Sequence, residues 1–163
     1  MDDPYHTERI HSTLESLGIG RDSLLVVGGA ALALYGVRPP SDVDILVPAG
    51  LFVAMHKEQQ TPSGTILQRG AHGKDYVLAA PAANGHHLPV DIICDYQTYP
   101  GSSIRGYDEQ FRERIAASPA SDEGWHHLTL EELLAQYKSR GLNQKAREAR
   151  RQIHPHLKHK KSA

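Results

Sequence analysis

The sequence predicts an α+β fold, in which a mixed β-sheet carries helices packed on it and ends in a C-terminal helical segment. Three observations lead there. Short apolar runs bounded by turn residues occur at Leu24–Val27, Val43–Val47 and Leu88–Cys94, the signature of brief buried strands. Apolar residues recur at helical spacing over residues 5–18 and again over 130–140. Strands and helices do not alternate in the regular βαβ rhythm of a doubly wound sheet.

Residues 5–18 place Tyr5, Ile10, Leu14 and Leu17 on one helical stripe, which Gly18-Ile19-Gly20 ends. Leu24–Val27 reads as a buried strand. Gly28-Gly29 then turns into a helix of good formers, Ala30–Tyr35, which Gly36 stops. Pro39-Pro40 holds an extended approach to a second strand, Val43–Val47. In that strand Val43, Ile45 and Val47 share one face, and Asp42, Asp44 and Leu46 the other. A helix is expected over Leu51–Glu58, a short strand with loops over Thr61–Gly73, and a strand over Tyr76–Ala79. Leu88–Cys94 is a stronger strand, with Val90, Ile92 and Cys94 alternating against Asp91 and Ile93. Residues 98–106, rich in Gly, Ser and Pro, read as a loop, and Tyr107–Ala116 as a helix. Thr129 with Glu132 three residues on is a capping-box pattern. It opens a helix over Leu130–Arg140 whose stripe is Leu130, Leu133, Leu134 and Tyr137. Gly141 and Asn143 break that helix. A very polar helix from Gln144 to about Ile153 follows, ended by Pro155. The expected organisation is a core over 1–128, C-terminal helices over 129–157 on or beside it, and a disordered basic tail over 158–163.

With 163 residues, 39% of them hydrophobic, the chain has material for one core. The longest apolar run, Leu24 to Val37, is interrupted by Gly28, Gly29 and Gly36, so no membrane span is expected. The start, MDDPYHTERI, is acidic and lacks an apolar core, so no secretory signal is expected. Cys94 is the sole cysteine. An internal disulfide is therefore excluded, which fits a reducing, cytoplasmic location. The net charge of -1 hides an asymmetry. From Lys138 onward there are nine Lys/Arg and one acid, Glu148, and the rest of the chain has nine Lys/Arg against eighteen acids. A basic C-terminal third on an acidic body suits an anionic partner such as a nucleotide or RNA; a solvated helix is the plain alternative.

Residues i and i+2 of a strand face the same way with Cα atoms about 6.5 Å apart, so both Asp42 and Asp44 can reach one ion. Asp91 interrupts an otherwise apolar strand, and from a neighbouring position it would complete a cluster. Three adjacent carboxylates repel one another unless a hard cation sits among them. Mg²⁺, or Mn²⁺ in its place, is the natural occupant, with one or two carboxylates and substrate phosphates as ligands. A pair of such ions about 3.5–4 Å apart can clamp both oxygens of a phosphoryl displacement. A Gly-Gly corner leaves backbone N–H groups open to a polyphosphate. Ser41 and Arg38, beside the acidic pair, are candidate phosphate or acceptor contacts.

Val27-Gly28-Gly29, the following Ala-Ala-Leu-Ala-Leu-Tyr-Gly-Val-Arg, and Asp42-Val43-Asp44-Ile45 together resemble the polymerase-beta-like nucleotidyltransferase superfamily. Residues 24–47 look most like the abortive-infection toxin nucleotidyltransferases of the AbiEii kind and the antibiotic nucleotidyltransferases. Val90-Asp91-Ile92 is similar to the family's third acidic motif. The resemblance implies a nucleotidyltransferase-like fold. It also implies transfer of a nucleoside monophosphate from an NTP to an acceptor, with magnesium held by Asp42, Asp44 and Asp91 as catalytic residues. Gly28 and Gly29 would contact the phosphates, and Lys138 would be the late helical lysine that binds nucleotide. Glu148 is the nearest counterpart of a later family acid, and Arg150-Arg151 stand where a second acid would be. The acceptor stays open among RNA, a protein hydroxyl and a small molecule. A degenerate module that binds nucleotide or a partner without turnover, or a toxin–antitoxin component docking through its basic helix, remains the alternative.

The histidines do not form a zinc pattern. His86-His87 and His126-His127 are adjacent pairs, and His154, His156 and His159 flank Pro155. Cys94, Trp125 and Tyr137 read as packing residues, with base stacking by Trp125 or Tyr137 as the alternative; Asp95 reads as a strand-end cap and Asp75 as a surface residue.

Overall fold

A computed structural model describes residues 3–69, 77–80, 85–96 and 103–151. In chain order the elements are α1 (Thr7–Ser16), a 3-10 turn (Arg21–Ser23), β1 (Leu25–Val27), α2 (Gly28–Leu34), β2 (Val43–Leu46), α3 (Ala49–Glu58), β3 (Gln68–Arg69), β4 (Val77–Ala80), β5 (Val90–Ile93), α4 (Ile104–Ala117) and α5 (Leu130–Ser139). A further helix, α6, is described over 143–151. The fold is α+β, as expected. Several expectations lie outside the described residues: the loop over 70–73, Asp75, Tyr76, residues 98–102, the end of the last helix with Pro155, the histidines at 154, 156 and 159, and the tail over 158–163.

The five strands pair in the order β1-β2-β5-β4-β3. β1 is antiparallel to β2, β2 is parallel to β5, and β4 is antiparallel to both β5 and β3. The parallel pair needs a long crossover, which α3, β3 and β4 supply. β2 and β5 are central, and their alternation sorts their faces. Val43, Ile45, Val47, Val90, Ile92 and Cys94 are buried, and Asp44, Asp91 and Ile93 are half-buried. Leu46, on the carboxylate side of β2, is buried as well. The outer edge of β1 is covered by the 126–128 segment. Val26 N–H donates to the His126 carbonyl (2.9 Å) and Leu128 N–H to the Val26 carbonyl (3.1 Å), so the edge offers no free ladder. Trp125, 1% exposed, anchors this segment in the core, with the Arg21 guanidinium 4.4 Å from its ring centre.

The capping box at Thr129 forms in full. Thr129 Oγ1 accepts from Glu132 N–H, and Glu132 Oε1 accepts from Thr129 N–H, both at 3.1 Å. Leu130, Leu133 and Tyr137 of α5, with Ala146 and Ala149 of α6, join the same apolar cluster as the sheet and α1–α4. The C-terminal helices thus pack on the core.

Four helices start earlier than the sequence suggests: α2 at Gly28 rather than Ala30, α6 at Asn143, an expected break, and α3 and α4. α4 begins at Ile104, so residues 104–106 are helical rather than loop. Ser103 caps it by accepting from Gly106 N–H (3.1 Å), which offsets the poor helix propensity of Gly106. α3 begins at Ala49, two residues before the expected Leu51. Its first N–H groups donate to the Asp108 carboxylate of α4, from Ala49 at 2.6 Å and from Gly50 at 3.0 Å. Asp108 is 9% exposed, and a buried carboxylate serving two orphan N–H groups also suits the positive helix end. Asp108→Ala strands both donors, so an expected loss of about 2–3 kcal/mol should appear as a lower urea midpoint. A loss under about 0.5 kcal/mol would refute this capping role.

Candidate metal centre and its cleft

The carboxylates come together because of strand register. Asp44 and Asp91 are opposite each other in the β2–β5 pair, and in-register neighbours of parallel strands share a face. Asp42 lies two residues before Asp44, at the bend that leads into β2, and its carboxylate reaches the same point. One oxygen from each of Asp42, Asp44 and Asp91 lies within 4.8 Å of the others, so the three can hold a metal ion. The donors are all hard carboxylate oxygens, which suit a hard cation rather than a soft metal.

β1 brings the glycine corner to the same point. Val27 is in register with Asp44, so Gly28 follows directly beside that carboxylate. Gly28 has φ +63, and a Cβ on it would stand 2.7 Å from Asp44 Oδ2. Only glycine meets both demands. Gly29 differs: a Cβ there would meet nothing within 4 Å, because it faces open space.

That space is a cleft of about 940 Å³. Its floor is Asp42, Asp44 and Asp91 with Gly28 and Gly29. Its sides include Arg38, Pro39, Pro40 and Ser41 from the approach to β2, His6 from the start of α1, and Tyr137, Arg140, Leu142 and Lys145 from the α5–α6 region. Of the residues singled out from sequence, Gly28, Gly29, Arg38, Ser41 and the three aspartates line it. Lys138 does not: it is exposed on α5, outside the lining. The lysine in the cleft is Lys145, at the start of α6, with its Nζ 5.6 Å from the Tyr137 ring centre. Glu148 does not face the carboxylates as a ligand; it pairs with Arg38 Nη1 at 3.5 Å, tying α6 to the loop before β2.

The electrostatics follow from this crowding. Burial, then the charges of Asp42 and Asp91 and a hydrogen bond with Asp91, push the Asp44 carboxyl up to about 7; Lys145 opposes them. Asp42 is also raised, by burial and then by Asp91, again against Lys145. Asp42 and Asp44 are thus harder to ionise than exposed carboxyls. Tyr137 is 2% exposed, and its hydroxyl has no hydrogen-bond partner among the described residues. Burial, followed by the charge of Asp44, raises it to about 12, so it stays a neutral donor.

Sequence reasoning missed His6, Arg140 and Lys145 as cleft residues, and read Tyr137 first as a packing residue, with base stacking as its alternative. The signal for Lys145 was faint. Ala146 and Ala149 mark the buried side of α6 and place Lys145 at its border, but alanines carry little hydrophobic contrast. Among the described residues no helix is long and apolar enough to cross a membrane. No protein-family model, curated protein or solved structure matches the chain.

Proposed function

We propose that the chain is a divalent-metal-dependent nucleotidyltransferase that moves an NMP from an NTP to a hydroxyl or phosphate acceptor. The observation that carries this reading is the convergence of Asp42, Asp44 and Asp91 beside a corner that only glycine can occupy. The resemblance of residues 24–47 to the polymerase-beta-like superfamily supports it. Asp42 and Asp44 would hold Mg²⁺, and Asp91 would complete its coordination and take the acceptor's proton. Bound metal neutralises charge that develops on the phosphates. The acceptor oxygen attacks the α-phosphorus, the α–β anhydride bond breaks, and pyrophosphate leaves. The chain's own share is positioning and charge. Gly28 and Gly29 admit the phosphates close to the backbone, Arg38, Arg140 and Lys145 face them from the sides, and the Tyr137 hydroxyl has a donor to give. Binding without turnover is the second reading, favoured by the position of Lys138 outside the cleft.

Thermal unfolding with Mg²⁺ and each NTP tests nucleotide binding. At 100 times its dissociation constant a ligand stabilises by about 2.7 kcal/mol, and Asp42→Asn/Asp44→Asn should abolish that gain. No gain with any NTP sinks both readings. Label transfer from NTP to RNA, protein or small acceptors then separates enzyme from binder. Lys145→Ala should weaken Mg²⁺–NTP binding about tenfold, in line with loss of one charge-assisted contact, and Lys138→Ala should leave it within about twofold. The reverse order would return the role to Lys138.

A further inference from the structure

We propose that the Tyr137 hydroxyl is a further substrate contact: it donates a hydrogen bond to a phosphate oxygen of the pyrophosphate that leaves, so that the cleft selects its nucleotide by the β- and γ-phosphates. The inference rests on the nucleotidyltransferase reading for the identity of the ligand. The orphaned hydroxyl that carries it is a property of the fold.

Tyr137 stands in the last turn of α5, and its backbone is fixed there. Leu142 N–H donates to the Tyr137 carbonyl (2.8 Å) and Gly141 N–H to the Lys138 carbonyl (3.2 Å). With Gly141 at φ +72, these are the two bonds of a Schellman helix end. The ring belongs to the apolar cluster of the core, so the side chain cannot swing out to water. Even so it lines the cleft, and its hydroxyl is buried with no partner among the described residues. A buried polar group without a hydrogen bond is costly, and native folds keep few of them. Phenylalanine would fill the same core position without that cost. A second atom of the same kind, His6 Nδ1, belongs to another side of the same cleft. The walls therefore lack the polar partners that a bound molecule would bring.

The surroundings of the hydroxyl say which part of the nucleotide it meets. Beyond burial, the charges that act on it are those of Asp44, Arg38, Arg140 and Glu148. Glu148 is paired with Arg38. The hydroxyl thus lies between a carboxylate of the floor and two guanidiniums of the sides, which draw an anion. Phosphate oxygens only accept hydrogen bonds, and a neutral phenol supplies a donor without adding charge. A sugar hydroxyl or a base at this point would leave the guanidiniums unused. When the acceptor oxygen bonds to the α-phosphorus and the α–β anhydride bond breaks, negative charge passes to the pyrophosphate. A donor already held in place there is worth more in the transition state than in the ground state. Tyr137 keeps its own proton throughout.

Calorimetric titration of the full chain tests this, comparing wild type with Tyr137→Phe, which keeps the ring and loses only the hydroxyl. The titrants are Mg²⁺ alone, inorganic pyrophosphate with Mg²⁺, and each NTP with Mg²⁺. The variant should bind Mg²⁺ alone as wild type does. It should bind pyrophosphate and NTP about tenfold or more weakly, as loss of a hydrogen bond to a charged oxygen implies. Its metal-free thermal midpoint should equal or exceed that of wild type, because no protein group is stranded; a hydroxyl with a structural task would lower it. The inference is overturned if the variant binds pyrophosphate within about twofold of wild type, if its midpoint falls below that of wild type, or if wild type binds no pyrophosphate. A variant weakened towards NTP alone overturns it too, since the contact is then to the nucleoside. NTP binding by wild type alongside any of these results leaves the nucleotidyltransferase reading in place. Tyrosine-dependent binding of pyrophosphate with no binding of any NTP does the opposite: it supports the phosphate contact and sinks that reading.

Discussion

Asp44→Asn is expected to raise the thermal stability of the metal-free protein while abolishing the proposed metal-dependent transfer. Asp44 is pushed up to about 7 in the folded chain, against 3.8 when exposed, by burial and by its carboxylate neighbours. The folded state therefore binds this proton more tightly than the unfolded one. Its contribution is most favourable below about pH 4, declines as pH rises towards 7, and is lost above that. Asparagine keeps the shape, cannot ionise, and can donate an amide N–H to Asp91. At pH 8 without metal the variant should melt about 2–4 °C above wild type, the shift that roughly 1 kcal/mol produces in a chain of this size. At pH 4 the two should coincide. Saturating Mg²⁺ should reverse the order at pH 8, because only wild type gains from the ion. Nucleotidyl transfer by the variant should fall about 10³-fold or more, given that a metal contributes several kcal/mol to such a step. Calorimetry over pH 4–8, with and without Mg²⁺, reads the stability effects together. A variant less stable than wild type in metal-free buffer at pH 8 would show that the carboxylates are not strained by one another.

Adjacent glycines should behave oppositely. Gly28→Ala places a methyl group 2.7 Å from Asp44 Oδ2 and forces alanine to φ +63. The backbone conformation alone costs about 1–2 kcal/mol, and displacing Asp44 adds to it. The chain should lose about 2–3 kcal/mol of stability and, because Asp44 is moved, should also lose Mg²⁺ affinity. Gly29→Ala meets nothing within 4 Å and sits in α2, where alanine is favoured over glycine by about 1 kcal/mol. It should leave stability unchanged or improve it. Yet its methyl group points into open space, so Mg²⁺–NTP should bind more weakly while Mg²⁺ alone binds as before. Urea unfolding and metal titration of the two variants check this. Equal stability losses would mean that the Asp44 contact is not what requires glycine at 28.

Features that repeat at short range could be read from the residues alone. Period-two alternation put Asp42 and Asp44 on one face and their apolar neighbours on the other. The glycine corner, the capping box at Thr129 and the stripe of α5 were legible for the same reason: each depends on residues within a turn or a few strand positions. Long-range packing settles which distant elements meet. It set the register that places Asp91 opposite Asp44, across the crossover between β2 and β5. It gave α3 its start through Asp108, 59 residues away. It also put Lys145 rather than Lys138 in the cleft, because the chain turns at Gly141 and brings the start of α6 to its side. Local pattern fixes which way a side chain faces along its own element; what it faces depends on how the elements pack, and one strong apolar stripe on α5 beside two alanines on α6 leaves that undetermined in the sequence.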